Sequence, residues 1–418
     1  MTSPHSSEHI ERCSGSRFFI PLVPVGLVLA WGVYAMVLIW ARGLNQTNMN
    51  NTYGFALWIW ADLAIIALGG GAFFTGLLRY LFRKRELDAI IHFAVLVGVI
   101  CYSSALLILA LDVGQPLRFW FIYWHANVHS MLTEVAFCLT VYFVVLNIEY
   151  LPVITASPKL QRIPFLKKLG SNTHAVMALF AGIGVFLSFF HQGSLGGLTG
   201  VLSSRPFAYR EGFLIWPWTF FLYTWSAAAA GPCFTLLLVK ITELVSGKKL
   251  VPEPVIRMLA KIAGWILLSY ITAKTIDTVY WANSTAAKAG FDWTRFYTEH
   301  PLYHGYWILF AEIILCGFVP AFILISARGR RSSLLLWSAV PLVVLGICLN
   351  RWSLIMQTVA MPVLPFEKWV LYLPSWQEVA TTLIPVSLGI LLIALSYRYL
   401  PLFPDEGELN DEDTYVSR

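Results

Sequence analysis

An all-α polytopic membrane protein of about ten transmembrane helices is the fold this sequence predicts, and three observations predict it. Mean hydropathy is +0.68, and only 12% of the 418 residues are charged while 58% are hydrophobic; a soluble domain carries roughly 25% charged residues. Ten apolar stretches each reach the ~20 residues that a helix needs to cross the hydrocarbon core. Lysine and arginine are strongly segregated: of 29, twenty fall on one side of the implied topology, eight on the other, and Lys274 alone lies within a span.

The stretches fall near residues 18–41, 54–82, 89–111, 129–150, 172–190, 214–240, 257–281, 302–327, 333–350 and 378–400. The first 17 residues are polar, with no apolar run or cleavage site ahead of the first helix, so no removable signal peptide is expected and helix 1 serves as its own insertion signal. Basic turns separate helices 2 and 3 (Arg83, Lys84, Arg85), 4 and 5 (Lys159, Arg162, Lys167, Lys168), 6 and 7 (Lys248, Lys249) and 8 and 9 (Arg328, Arg330, Arg331). The opposite loops hold Arg42, Arg118, Arg205, Arg210, Lys288, Arg295, Arg351 and Lys368. Positive loops stay cytoplasmic, which puts both termini in the cytoplasm. This topology accounts for the +6 net charge without a nucleic-acid partner.

The chain also repeats itself in the same direction of travel. GFALWIW at 54–60 returns as GFLIWPW at 212–218, and FFTGLL at 73–78 as CFTLLL at 233–238. His125 and His129 have the spacing of His300 and His304, and HQGSL at 191–195 is answered by NRWSL at 350–354. The expected organisation is therefore an N-terminal segment with helix 1 (1–53), two pseudo-repeated four-helix bundles (54–195 and 212–356), and an outer loop, helix 10 and acidic tail (357–418). Parallel repeats of this kind occur in transporters, with sites where the halves meet.

Buried ionisable residues point to a site. A charge at mid-bilayer costs ~2.5–3.5 kcal/mol on insertion scales, so intramembrane acids and bases are functional candidates. Asp62, Asp112, Glu134, His191, Lys274, Asp277 and Glu312 share one outer layer of the expected helices, and Tyr102 sits ~15 Å below the end of helix 3. Asp277 and Lys274, three apart on one helical face, are open to a second reading as a structural ion pair. Glu134 has no cation on its own helix to neutralise it.

The six cysteines, Cys13, Cys101, Cys138, Cys233, Cys316 and Cys348, form no CxxC or CxxCH, so no iron–sulfur cluster or covalent haem is expected, and no metal site. His92 with His174, or His129 with His191, would be the pairs for non-covalent haem, but both fall at membrane edges. The HxxxH pairs have zinc-ligand spacing, with a repeated boundary turn as the other reading. Quinone chemistry suits the remaining inventory. Reducing a quinone needs donors on two carbonyl oxygens and an acid reachable from water, which a histidine or buried carboxyl can supply. Trp120, Trp124 and neighbouring aromatics offer walls for a flat ring, and interfacial aromatic belts are the plainer explanation of such residues. Electrons then have to come from another protein.

LSFFHQGSLGGL at 187–198, LDVGQPLRFW at 111–120 followed by Ser130 and Glu134, and LNRW at 349–352 resemble the signature segments of the NrfD/PsrC family, including its HybB-like hydrogenase anchors, across roughly residues 54–356. Within the family the chain most resembles the membrane subunits of menaquinone reductase complexes of sulfate-reducing bacteria. The resemblance implies a haem-free quinone-binding subunit passing electrons to menaquinone from a periplasmic iron–sulfur subunit, with a multihaem cytochrome c and a molybdopterin-like subunit in the same complex, and electrogenic proton uptake as a weaker implication.

Residue by residue, the resemblance maps the quinone and proton route of HybB-like members onto Tyr102, Glu134 and His191. Trp120, Asp112, His129 and Ser130 are expected beside the ring, and Asp277, Lys274, Glu312 and Asp62 along a proton path. Two departures stand out: HQSSLG reads HQGSLG through Gly193, and DxGRP has Gln115 in place of arginine. Other readings are a quinol-oxidising anchor of a polysulfide-reductase or hydrogenase-type complex, a secondary transporter and a passive anchor. A transporter would place its site at the bilayer midplane, and an anchor needs no buried acids. The acidic tail after Phe403 is expected to be solvated.

Overall fold

The computed structural model describes residues 15–51, 53–54, 57–113, 115–157, 160–202, 205, 207–213, 216–301, 305–364 and 366–403. Cys13, His304 and the acidic tail lie outside them. Among the described residues ten helices are long and apolar enough to cross a membrane: α1 Gly15–Arg42, α2 Leu57–Leu81, α3 Arg85–Asp112, α4 Met131–Thr155, α5 Met177–Gly200, α6 Trp218–Ser246, α7 Glu253–Lys288, α8 Trp307–Ile325, α9 Ser333–Ala360 and α10 Trp376–Tyr399. Helical bonding satisfies each backbone group within its own segment, as a lipid environment demands. Among the described residues the strands are limited to a two-residue hairpin, Gly212–Phe213 against Trp216–Pro217, that leads into α6.

Helices α2 and α6, which open the two sequence echoes, cross at the centre of the molecule. A Cβ on Gly70 would lie 2.9 Å from the Ala227 carbonyl oxygen, so only glycine lets the backbones come this close. Around this crossing α2 packs on α3 and α5, α4 on α5, α6 on α5, α7 and α9, and α8 between α7 and α9. The outer pair α1 and α10 pack on each other, with α10 resting on α3. α1 therefore buries only a narrow stripe, Gly32, Ala35 and Ile39.

Several helices are longer than their apolar runs predict. α5 continues through HQGSLGGLTG to Gly200 rather than stopping at residue 190. The glycines beyond residue 190 are contact points: a Cβ on Gly193 would strike Phe220, and one on Gly196 would lie 2.7 Å from the Tyr223 ring. A separate helix, Pro164–Ala175, occupies the start of the stretch expected at 172–190. α9 likewise runs past residue 350, through a π-helical turn at Ser353–Gln357. A further π-helical turn ends α2 at Leu77–Leu81, and others interrupt α7 and α8 at Trp281–Thr285 and Ala311–Phe318.

One buried carboxylate fastens the loops on the side poor in positive charge. Glu378, fully buried in the first turn of α10, accepts hydrogen bonds from the backbone N–H of Asn48 (3.0 Å) and of Ser375 (2.7 Å) and from the Tyr372 hydroxyl. It completes a capping box with Ser375. The Tyr372 oxygen in turn accepts from the Leu57 N–H at 2.9 Å, and the Trp58 indole donates to Thr381 at 2.8 Å. The α1–α2 loop and the start of α10 thus share one carboxylate, and the start of α2 is tied to it through Tyr372. Each buried donor it abandons would cost ~1–3 kcal/mol. Glu378→Ala is expected to lower the melting temperature in detergent by several degrees, and Glu378→Gln, which keeps one acceptor oxygen, to lose clearly less.

Candidate functional site

His191 lies nine residues inside the end of α5, ~14 Å along the helix, rather than at its edge. That is the depth of Tyr102, ten residues inside the end of α3. Both are fully buried, and the Tyr102 hydroxyl meets His191 Nε2 at 2.7 Å and the Ser188 hydroxyl at 3.2 Å. His191 Nδ1 faces the Leu187 carbonyl oxygen at 2.8 Å. A carbonyl only accepts, so in the neutral ring Nδ1 carries the hydrogen and Nε2 accepts from Tyr102. Both ring nitrogens are therefore engaged inside the protein. Tyr142 packs edge-on against Tyr102, ring centroids 4.5 Å apart, and 5.9 Å from the His191 ring.

The other first-group residues form no single cluster with this pair. Asp62 is buried on α2, with Oδ1 lacking a partner among the described residues, and lies within electrostatic range of Asp112 and Tyr102. Asp112 is half-buried at the end of α3. Glu134 is half-buried in the first turn of α4, and its carboxylate makes no hydrogen bond or ion pair among the described residues. Ser130 precedes that turn half-buried, while His129 and Trp120 are exposed. An open groove of about 530 Å³ lies at the α3–α4 loop, lined by Val113, Gln115, Arg118, Phe119, Phe121 and Ile122. Phe119 and Phe121, rather than Trp120, are its aromatic walls. Gln115, one of the two departures from the family pattern, faces into it.

The second group holds a denser charge network than the sequence suggests. Asp277 and Lys274 do not pair with each other. Asp277 accepts from Arg210 Nε at 2.9 Å, with Arg210 also over the Trp281 ring at 4.9 Å. Lys274 is ion-paired with Glu312, which accepts from Asn350 Nδ2 at 2.6 Å. Asn350 Oδ1 accepts from Arg351 Nη1 at 2.6 Å, and Arg351 Nη2 donates to Ser226 at 2.7 Å while its guanidinium lies 3.5 Å from the Tyr223 ring centroid. Arg351 and Arg210 read as outer-loop charges in the sequence, yet Arg351 is 1% exposed. The signal available for Arg351 was its register in NRWSL, one residue after the counterpart of His191. Corresponding bonds follow that register: Gln192 Nε2 donates to Ile66 O on α2 at 2.8 Å, and Arg351 Nη2 reaches Tyr223 O on α6 at 3.4 Å.

Glu149 is a further buried acid, on the other half of α4 and seven residues from Tyr142 on the same face. It falls outside the outer layer that the sequence picks out because it lies toward the side rich in positive charge. Among the described residues no three His, Cys, Asp or Glu side chains come together as a metal-holding group. His125 is exposed and His300 is buried, so the first members of the two HxxxH pairs do not share an environment.

Two substitutions probe these networks. Tyr102→Phe leaves His191 Nε2 buried without its donor, a loss of ~1–3 kcal/mol; the melting temperature is expected to fall measurably, while Ser188→Ala has the smaller effect. Lys274→Ala strands the Glu312 carboxylate, and breaking a buried pair costs ~3–5 kcal/mol. Lys274→Met with Glu312→Gln keeps the Asn350 bond and is expected to recover most of that stability in the same melting assay.

Comparison with known proteins fits this architecture. Residues 43–362 match the family described as polysulphide reductase, NrfD. The chain is 49% identical over 403 residues, 96% of each protein, to the menaquinone reductase integral membrane subunit of Nitratidesulfovibrio vulgaris. It is 26% identical over 397 residues to the probable Ni/Fe-hydrogenase 2 b-type cytochrome subunit of Escherichia coli, covering 89% of this chain and 90% of the relative. It is 21% identical over 419 residues to a selenate reductase subunit of Mesobacillus selenatarsenatis, covering 91% and 93%. A family match over most of the chain, supported by near-full-length relatives, makes this protein a member of the NrfD family.

Proposed function

We propose that this chain is the quinone-handling membrane subunit of a menaquinone-reducing respiratory complex. The observation that carries the reading is 49% identity over 96% of the chain to a menaquinone reductase integral membrane subunit. In this reading α2–α5 and α6–α9 are two repeated four-helix units, both termini are cytoplasmic, and the side poor in positive charge is periplasmic. Two electrons arrive there from a periplasmic iron–sulfur or cytochrome c partner. Menaquinone takes them up with two protons to become menaquinol.

The open groove at the α3–α4 loop supports this reading, since aromatic and hydrogen-bond-donating side chains come together there. Phe119 and Phe121 flank the ring, and Gln115 and Arg118 donate to a carbonyl oxygen. Glu134, in the first turn of α4, delivers a proton, with Asp112, Ser130 and His129 assigned to the same site. His191 acts through Tyr102 as a relay, because both its nitrogens are engaged. Tyr142 and Glu149 continue the polar groups from that pair toward the cytoplasmic side, a route for electrogenic proton uptake. Asp62 lies near the upper end of this column, and Lys274, Asp277 and Glu312 serve the second unit.

The selenate reductase relative favours a second reading, in which the subunit oxidises quinol for a terminal reductase. The far higher identity of the menaquinone reductase subunit weighs for reduction. The test uses the purified complex with its native partners. Wild type is expected to reduce a soluble menaquinone analogue, and Glu134→Gln to lose at least tenfold in turnover with all subunits still present. Normal turnover in Glu134→Gln removes that residue from the mechanism. A wild-type complex that oxidises menaquinol but reduces no naphthoquinone overturns the direction.

A further inference from the structure

The network of Lys274, Glu312, Asn350 and Arg351 is bordered along α9 by polar atoms without partners. Ser353 Oγ and both amide atoms of Gln357 make no hydrogen bond among the described residues, although Ser353 is 5% and Gln357 1% exposed. Buried polar atoms are almost always paired, with protein or with ordered water. Asn350, Ser353 and Gln357, spaced three and four apart, fall on one helical face. Ser353–Gln357 is also a π-helical turn, and so is Ala311–Phe318, which carries Glu312; such turns recur at functional sites. The Tyr53 hydroxyl donates to the Met356 carbonyl in this turn at 2.7 Å.

At its outer end the stripe meets a pocket on the side poor in positive charge, lined by Tyr53, His300, Trp352, Met356, Gln357 and Tyr372. Its free volume of about 10 Å³ has room for about one water and no larger ligand. A primary amide presents two donors and an acceptor, and a hydroxyl one donor and two acceptor sites. Water complements both, whereas an apolar occupant would leave every one of these atoms unpaired. A metal cation is disfavoured by the Lys274 and Arg351 charges further in.

We propose that Gln357 and Ser353 hold a short file of water that connects this pocket to the Asn350–Glu312–Lys274 network, giving Glu312 proton exchange with the side poor in positive charge. The file is separate from the Tyr102–His191 relay and does not depend on the identity of the ligand in the first unit. It gives the second group of helices access to the opposite side from the Tyr142–Glu149 column. Waters that donate and accept in sequence pass protons without moving ions, so the conduit needs no wider opening.

Hydroxyl-radical footprinting of the intact complex with its partners tests the file, because radicals formed from bound water modify the side chains beside them. Met356, which lines the pocket, and Met361, five residues on, are buried alike, 3% and 2% exposed. In wild type Met356 is expected to be oxidised at least tenfold faster than Met361. Gln357→Leu, of similar size but unable to hold water, is expected to bring Met356 down at least fivefold toward the Met361 rate. Equal, slow oxidation of the two methionines in wild type overturns the proposal, and so does a fast Met356 rate that Gln357→Leu leaves unchanged. Should Gln357→Leu fail to assemble, the wild-type ratio decides alone.

Discussion

Where α2 and α6 cross, Gly70 leaves room for the carbonyl of Ala227, and both buried networks hang from the two helices that meet there. Without a hydrophobic force between helices in lipid, such close backbone approach and the contacts it allows are what hold a bundle together. α5 packs its glycines onto α6, which places Gln192 against Ile66 of α2 and His191 against Tyr102 of α3. α9 packs on the other side of α6, and Arg351 finds Ser226 and the Tyr223 ring there. Tyr223 thus contacts α5 through Gly196 and α9 through Arg351, standing between the two polar regions.

The two regions solve the same desolvation problem with different chemistry. The first pairs hydroxyls with an imidazole: tyrosine, serine and a histidine with both ring nitrogens engaged. The second uses ionised pairs, which persist in low dielectric only when the remaining lone pairs and hydrogens are met. Asn350 does this between Glu312 and Arg351, and the backbone carbonyls of Phe207 and Tyr209 do it for Arg210. The irregular turns in α7, α8 and α9 fall in this second group, where helix regularity yields to the placement of polar side chains.

Segment count and class were legible because hydropathy is a one-dimensional property: twenty apolar residues span a membrane whatever they pack against. Helix ends were less legible. The glycines of α5 and the Asn350–Arg351 pair of α9 have the composition of a loop, and only neighbours decide that a glycine is a contact or that an arginine is paired. The same limit governed the ion pairs. Lys274 and Asp277 share a helical face, which leaves a mutual ion pair open as a reading of the sequence, whereas the partners actually used come from α8 and from the loop before α6.

Composition and periodicity along one chain were enough for the membrane class, the ten apolar spans, the charge asymmetry between the two sides and the echo between α2–α5 and α6–α9. Packing was needed to bring His191 deep enough to meet Tyr102, to make Arg351 and Arg210 buried partners rather than loop charges, to tie three segments to Glu378, and to wall the groove with Phe119 and Phe121 while Trp120 faces outward. Each of those depends on which helix lies alongside, and burial, pairing and depth are properties of neighbours that a linear pattern does not contain.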